Sequence, residues 1–177
     1  MAAKTHGHLP RELMEKFASL SPEERINALM ANKVPDDQRL VSKFMEEECK
    51  LREVKVLSPK QALVTFAFKV SRFYCNGSGN LHGGSQSAFF DVCTSIALMS
   101  IGKPGFWLNG GVSRTLNVTY LRPAPEGDDL IMECEIVSMG KSLALLKARL
   151  KRESDGALIS TCDHDKAFVP TKPGWKL

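Results

Sequence analysis

The chain has 177 residues, of which 43% are hydrophobic and 25% charged, with a formal net charge of +4. These values predict one soluble globular domain with its own core and room for an extension. They exclude a bilayer span, because no apolar run reaches the ~18 residues required; the longest candidate, Ser87 to Ile101, is broken by Asp91. They also exclude a nucleic-acid binder, since no basic block or interleaving of aromatic and basic residues is present, and the modest positive charge suits a small acidic ligand.

The start, Met1 to His8, lacks an apolar signal core and reads as a polar tail. Five cysteines, widely spaced and without a C-x-x-C pair, read as reduced thiols and point to the cytoplasm. The terminal Trp175-Lys176-Leu177 shares its last two residues with the peroxisomal S-K-L address, so a peroxisomal or mitochondrial location stays open.

Three helices are predicted first. Leu13, Met14, Phe17 and Leu20 have helical spacing after Pro10; Ser21-Pro22-Glu23-Glu24 opens a second helix; Asp36 or Asp37 caps a third running to about Cys49, with Leu40, Val41 and Phe44 inward. Strands are expected over Leu51 to Leu57 and Ala62 to Val70, joined by the turn Ser58-Pro59-Lys60. A glycine-rich loop then leads at Gly83 into an apolar helix that ends at Gly102, before Pro104. Three or four long strands follow, over Gly111 to Leu121, Leu130 to Ser138, Leu143 to Lys151 and Leu158 to Val169, separated by turn-forming residues. Their apolar runs need a large partner, and the central helix is the one available. The expected architecture is α+β: a long antiparallel sheet wrapped around one hydrophobic helix, with an N-terminal helical extension. The boundaries expected are 1–48 for the extension, 49–170 for the sheet and helix, and 171–177 for a tail.

The loop Asn76-Gly77-Ser78-Gly79-Asn80-Leu81-His82-Gly83-Gly84 and the lone acid of the helix, Asp91, are the candidate chemistry. A carboxylate in an apolar helix costs several kcal/mol unless something partners it. A helix that begins at a glycine pair presents N–H groups without intrahelical acceptors, and glycine lets a carbonyl approach the backbone closely. One such donor contributes roughly 3 to 4 kcal/mol to an oxyanionic transition state. Cys162 and His164 share a strand face, but two ligands do not make a zinc site, so no metal is expected.

This order of elements, with Leu81-His82-Gly83-Gly84, Asp91, Asn117-Val118-Thr119-Tyr120-Leu121-Arg122-Pro123-Ala124 and Gly140-Lys141-Ser142, resembles the hotdog-fold acyl-CoA thioesterases. The nearest group is the phenylacetate-pathway type, which includes the thioesterase superfamily member 2 proteins. The resemblance covers about Pro59 to Phe168. It implies a hotdog fold and hydrolysis of acyl-CoA to a free acid and coenzyme A, with coenzyme A as part of the substrate and no cofactor.

Carried across residue by residue, the resemblance makes Asp91 the general base or nucleophile. Asn76 helps to position the water or the thioester, and the Gly83 N–H meets the thioester oxygen with Gly84 beside it. His82 flanks that hole, and Ser113 orients the water. Ser85 and Gln86 depart from the small or aliphatic residues common after H-G-G, and Thr115 stands where relatives often carry Asp. Arg122, Lys141 and Arg114 are candidates for the coenzyme A phosphates, with Lys166 a further one. Phe89, Phe90, Phe106 and Leu108 are candidates to line an acyl slot beside the helix.

Asp91 lies eight residues beyond Gly83, about 12 Å along a helix axis. The two do not reach one carbonyl within a chain, so a homodimer is the expected minimal active unit, with a homotetramer beyond it. The competing readings are a hotdog acyl-CoA sensor without turnover and a hotdog enoyl-CoA hydratase or dehydratase.

Overall fold

A computed structural model describes residues 11–31 and 36–170. The expected tail at residues 1–10 and the C-terminal Trp175-Lys176-Leu177 lie outside the described residues. Helices α1 (Arg11–Ser19) and α2 (Pro22–Ala31) fall where the apolar spacing places them. A reciprocal cap starts α2: the Glu24 N–H donates to Ser21 Oγ at 3.3 Å, and the Ser21 N–H donates to Glu24 Oε2 at 2.9 Å.

The third helix is shorter than its sequence suggests. Asp37 does not cap it but accepts from the backbone N–H and guanidinium of Arg39, which holds a turn. Helix α3 covers only Leu40–Lys43, and Leu40 is 38% exposed, not inward. The chain then winds through a wide π turn, Phe44–Glu48, closed by the Cys49 N–H on the Phe44 carbonyl. That turn buries Phe44, whose ring stacks on Phe89 at 3.6 Å between centroids.

Strands β1 (Lys50–Ser58) and β2 (Gln61–Lys69) form the expected hairpin. The central helix α4 (Gly83–Ile101) follows, then β3 (Val112–Tyr120), β4 (Asp129–Met139), β5 (Leu143–Arg152) and β6 (Leu158–Ala167). They make one six-stranded sheet in the order β1-β2-β4-β5-β6-β3, antiparallel throughout. Period-two burial along β2 and β4 sends Val64, Phe66, Leu130, Met132 and Cys134 toward Phe89, Phe90 and Cys93 of α4. The hotdog arrangement is therefore what these residues build. Strand β3 occupies the sheet edge, bonded to β6 on one side only.

The two ends of α4 are anchored differently. At its C-terminus a Cβ on Gly102 would lie 2.7 Å from the Leu108 nitrogen, so only glycine lets the chain turn there. Arg25 of α2 reaches the same end, and its Nη1 donates to the carbonyls of Met99, Ser100 and Gly102. Its Nε and Nη2 donate to Phe17, Ala18 and Leu20. Arg25 is 6% exposed, and burial lowers its pKa. Among the described residues it has no carboxylate partner; six carbonyl oxygens and the negative end of a helix hold it instead.

Candidate active site

Helix α4 buries most of its surface, but Gly84, Ser87, Ala88, Asp91, Val92, Ser95 and Met99 form a half-exposed or exposed stripe at helical spacing. Asp91 lies in the middle of it, with its side chain 50% exposed. One carboxylate oxygen is anchored: Ser113 Oγ donates to Asp91 Oδ1 at 2.8 Å. Behind the serine stand His164 Nε2 at 2.9 Å and Lys166 Nζ at 3.2 Å. His164 Nε2 is also 3.4 Å from Asp91 Oδ1, and Lys166 Nζ donates to Ser95 Oγ at 2.8 Å.

The register explains this convergence. Ser113 pairs with Lys166 and Thr115 with Asp165, so Arg114 is the extra residue of a bulge. A bulge re-aims its neighbours, and here it puts Ser113 against the helix. On β6 the alternate residues Ser160, Cys162, His164 and Lys166 all face inward. Three of them bond α4 through side chains: Ser160 to Gln86 at 2.7 Å, His164 to Thr94 at 2.7 Å and Lys166 to Ser95. A polar seam thus crosses an otherwise apolar contact and sets helix against strand.

Burial, and then the charge of Lys166, push the His164 imidazole down to about 4. Burial likewise lowers the Lys166 ammonium, with the Asp91 charge opposing it.

At the start of α4, His82 is the cap, its Nδ1 accepting the Gly84 N–H at 2.9 Å. That bond puts the ring proton of neutral His82 on Nε2, toward solvent. Gly83 is the first helical residue, a position without an intrahelical acceptor for its N–H. Tyr120 lies across it, donating to the Gly83 carbonyl at 2.8 Å and sharing a 2.7 Å bond with Ser87 Oγ. Asn76 is exposed, and its Oδ1 accepts from Ser78 and Asn80 backbone N–H groups, which ties the loop and leaves its amide hydrogens for another acceptor.

A family model of the thioesterase superfamily matches residues 78–159. Acyl-coenzyme A thioesterase 13 of Mus musculus is 31% identical over 118 residues, 66% of this chain and 80% of that protein. The chain belongs to the thioesterase superfamily. Its fold is that of zebra fish thioesterase superfamily member 2, with a TM-score of 0.67 and 27% identity over 85% of this chain and 100% of the other. A hypothetical thioesterase of Streptococcus pneumoniae, solved with coenzyme A, has the same fold at a TM-score of 0.60 and 18% identity over 72% of this chain and 90% of that one.

As a member of that superfamily the chain places its sequence-predicted residues in three groups. Asp91 and Ser113 touch; His82, Gly83 and Gly84 form the helix start with Asn76 in the loop before it; the basic candidates stand apart. Arg122 follows Tyr120 and donates to the Leu158 carbonyl, at the Gly83 end of the sheet. Lys141 sits in the β4–β5 turn, where Gly140 accepts from Trp107 beyond the other end of α4. Arg114 is exposed at the bulge. Lys166 is 3% exposed with its ammonium turned toward Ser95 and Ser113, so it faces away from a phosphate in solvent.

The acyl slot expected beside α4 is filled within the chain. Phe89 and Phe90 are wholly buried, and Phe44 occupies the space against Phe89 and Phe68 that a slot would need. His164 is the residue that sequence reasoning missed as part of this cluster. Its one sequence signal is the inward alternation of Ser160, Cys162, His164 and Lys166, four non-aliphatic residues in a strand facing an apolar helix.

Proposed function

We propose that the protein hydrolyses acyl-CoA thioesters to a carboxylic acid and coenzyme A at a site shared by two copies of the chain. The observation that carries this reading is the half-exposed Asp91 carboxylate, held through one oxygen by Ser113 and backed by His164 and Lys166. Oδ1 is the anchored oxygen, so Oδ2 faces the open stripe and takes a proton from water as it attacks the thioester. The Gly83 N–H, with the Asn76 amide beside it, receives the charge that develops on the carbonyl oxygen. As the carbon–sulfur bond breaks, the proton taken up by Asp91 passes to the departing sulfur, and coenzyme A leaves as the thiol.

The unpaired edge of β3 supports the two-copy arrangement. Ser113 and Tyr120 lie near opposite ends of that strand, about 23 Å apart at strand rise. Antiparallel pairing of β3 with a copy of itself, about a two-fold axis near Leu116 and Asn117, sets Asp91 and Ser113 of one protomer beside Gly83 and Tyr120 of the other. It also brings Arg122 of one protomer to the same end as Lys141 of its partner, where the phosphates of coenzyme A meet both. The acyl chain then runs between the copies, along the exposed stripe of α4 and not through the filled core.

His164 lies beside the acid as a hydratase base would, but it is fully buried and both ring nitrogens are engaged. That burial favours hydrolysis over hydration chemistry. The deciding experiment is thiol release across a panel of acyl-CoA substrates with the wild type and Asp91→Asn. Turnover of at least one acyl-CoA and loss of about a hundredfold or more in kcat in the variant are expected; equal rates would reject the mechanism.

A further inference from the structure

We propose that Gln86 is a positioning residue for the oxyanion donor: with its side-chain amide on the Leu81 carbonyl and its backbone N–H on the His82 carbonyl, it fixes the two peptide planes that aim the Gly83 N–H. The inference deepens the reading of that N–H as the group that meets the thioester oxygen, and rests on it.

Gln86 departs from the small or aliphatic residues common after H-G-G, and it is 5% exposed. A buried amide costs free energy unless its polar ends are bonded, and here both are. Nε2 donates to the Leu81 carbonyl at 3.2 Å, and Oε1 lies 2.7 Å from Ser160 Oγ. A carbonyl only accepts, so the amide nitrogen has to face Leu81. The oxygen then faces Ser160, whose hydroxyl donates its single proton, and no titratable group enters the arrangement.

Two consecutive peptides lead into α4. In the first, the Leu81 carbonyl receives the Gln86 side chain and the His82 N–H donates to the Tyr74 carbonyl at 2.8 Å. In the second, the His82 carbonyl receives the Gln86 backbone N–H at 3.0 Å, the first bond of the helical ladder, and the Gly83 N–H has no intrahelical acceptor. A peptide unit is planar, so holding its carbonyl sets the direction of its N–H. The extended backbone of His82 (φ −62, ψ 137) joins the two planes, and rotation of the first would carry into the second. Gln86 therefore holds both, one with each of its amides. The far end of its side chain is pinned to the sheet: Ser160 is wholly buried on β6 and pairs with Tyr120 of β3, which in turn holds the Gly83 carbonyl. Paired residues of two strands thus grip the first turn of α4 through two hydroxyls.

Kinetics of the full chain on an acyl-CoA, in two backgrounds, separate positioning from packing. Gln86→Met keeps the length of the side chain and loses both of its bonds. In the wild-type background it is expected to lower kcat about 10- to 100-fold with KM nearly unchanged. In a Gly83→Pro background, which has no N–H to aim, it is expected to cost less than about twofold more. The same factor in both backgrounds, or an unimpaired variant, overturns the proposal. Ser160→Ala frees only the far end of the amide and is expected to lower kcat about threefold, as one neutral hydrogen bond is lost; it decides by the same comparison if Gln86→Met does not fold. Nitrogen-15 relaxation supplies a readout without turnover. The Gly83 amide is expected to be as rigid as the middle of α4 in the wild type and to show exchange broadening in either variant; an equally rigid Gly83 amide in the variants overturns the proposal as well. Should the wild type turn over no acyl-CoA, the thioesterase reading falls, while the NMR arm still decides whether Gln86 holds that peptide.

Discussion

The two ends of the central helix obey opposite rules. At the C-terminus, Arg25 gathers the carbonyls of Met99, Ser100 and Gly102 beneath the N-terminal extension. At the N-terminus, His82 takes the Gly84 N–H, and Gly83 beside it is the first helical residue, a position without an intrahelical acceptor for its N–H. Orphan groups at helix ends are costly when buried, so closing one end is ordinary stabilisation. An open end costs less at the surface and offers a partial positive charge to an incoming oxygen. One terminus is closed within the fold, and the other is the one that the proposed mechanism uses.

The largest expected effect comes from removing the open N–H. Gly83→Pro keeps the helix start, because proline suits the first helical position and His82 already has the extended backbone (φ −62, ψ 137) that a following proline requires. Gly83→Ala is its control: a Cβ there meets the Tyr120 ring at 3.2 Å, so alanine carries the steric load but keeps the N–H. Proline is expected to lower kcat by about 100- to 1,000-fold, and alanine far less. Mixing Gly83→Pro with Asp91→Asn protomers tests the shared site, since a heterodimer holds one intact pairing. An equal mixture is expected to recover about a quarter of wild-type activity, since half of its dimers are heterodimers and each of these has one intact site of two; no recovery would place both groups in one chain.

The closed end answers to a stability measurement. Arg25→Met keeps much of the side-chain volume but strips donors from six carbonyls. The loss expected is about 3 kcal/mol, seen as a lower Tm and as faster hydrogen exchange in α1, α2 and the last turn of α4. kcat should stay near wild type, because Arg25 is remote from the open end. A Tm shift of under about a degree would mean that the carbonyls are served equally well by water.

The contrast between the ends also marks what could be read in advance. Element order was legible because glycine and proline punctuate it and because the apolar spacing switches from helical to alternating after Leu51. The helix start and Asp91 were legible as local oddities. Arg25 was not, since a single arginine in an amphipathic helix reads as solvated, and three of its six carbonyl partners lie 74 to 77 residues away. His164 was hidden for the same reason: its bond to Thr94 spans 70 residues and its bond to Ser113 spans 51. The third helix misled because Asp37 serves Arg39 and not a helix start. The acyl slot misled because burying Phe44 uses a π turn that the apolar pattern does not announce.

The smallest expected effect concerns the basic residues, which sit at opposite ends of one sheet and would converge only across the proposed two-fold. Arg122 is tied by one bond to the Leu158 carbonyl and is otherwise exposed, as is Lys141. An exposed charge meeting a phosphate contributes about 1 kcal/mol, so Arg122→Gln should raise KM for acyl-CoA about fivefold and leave kcat alone. Lys141→Gln should do the same. Raising the ionic strength should weaken wild-type binding by screening and affect the double variant much less. A substrate that lacks the phosphates, such as an acyl-pantetheine, should be indifferent to both substitutions. If Arg122→Gln matters and Lys141→Gln does not, the phosphates sit at the Gly83 end of a single protomer, and the paired β3 edges have no part in binding coenzyme A.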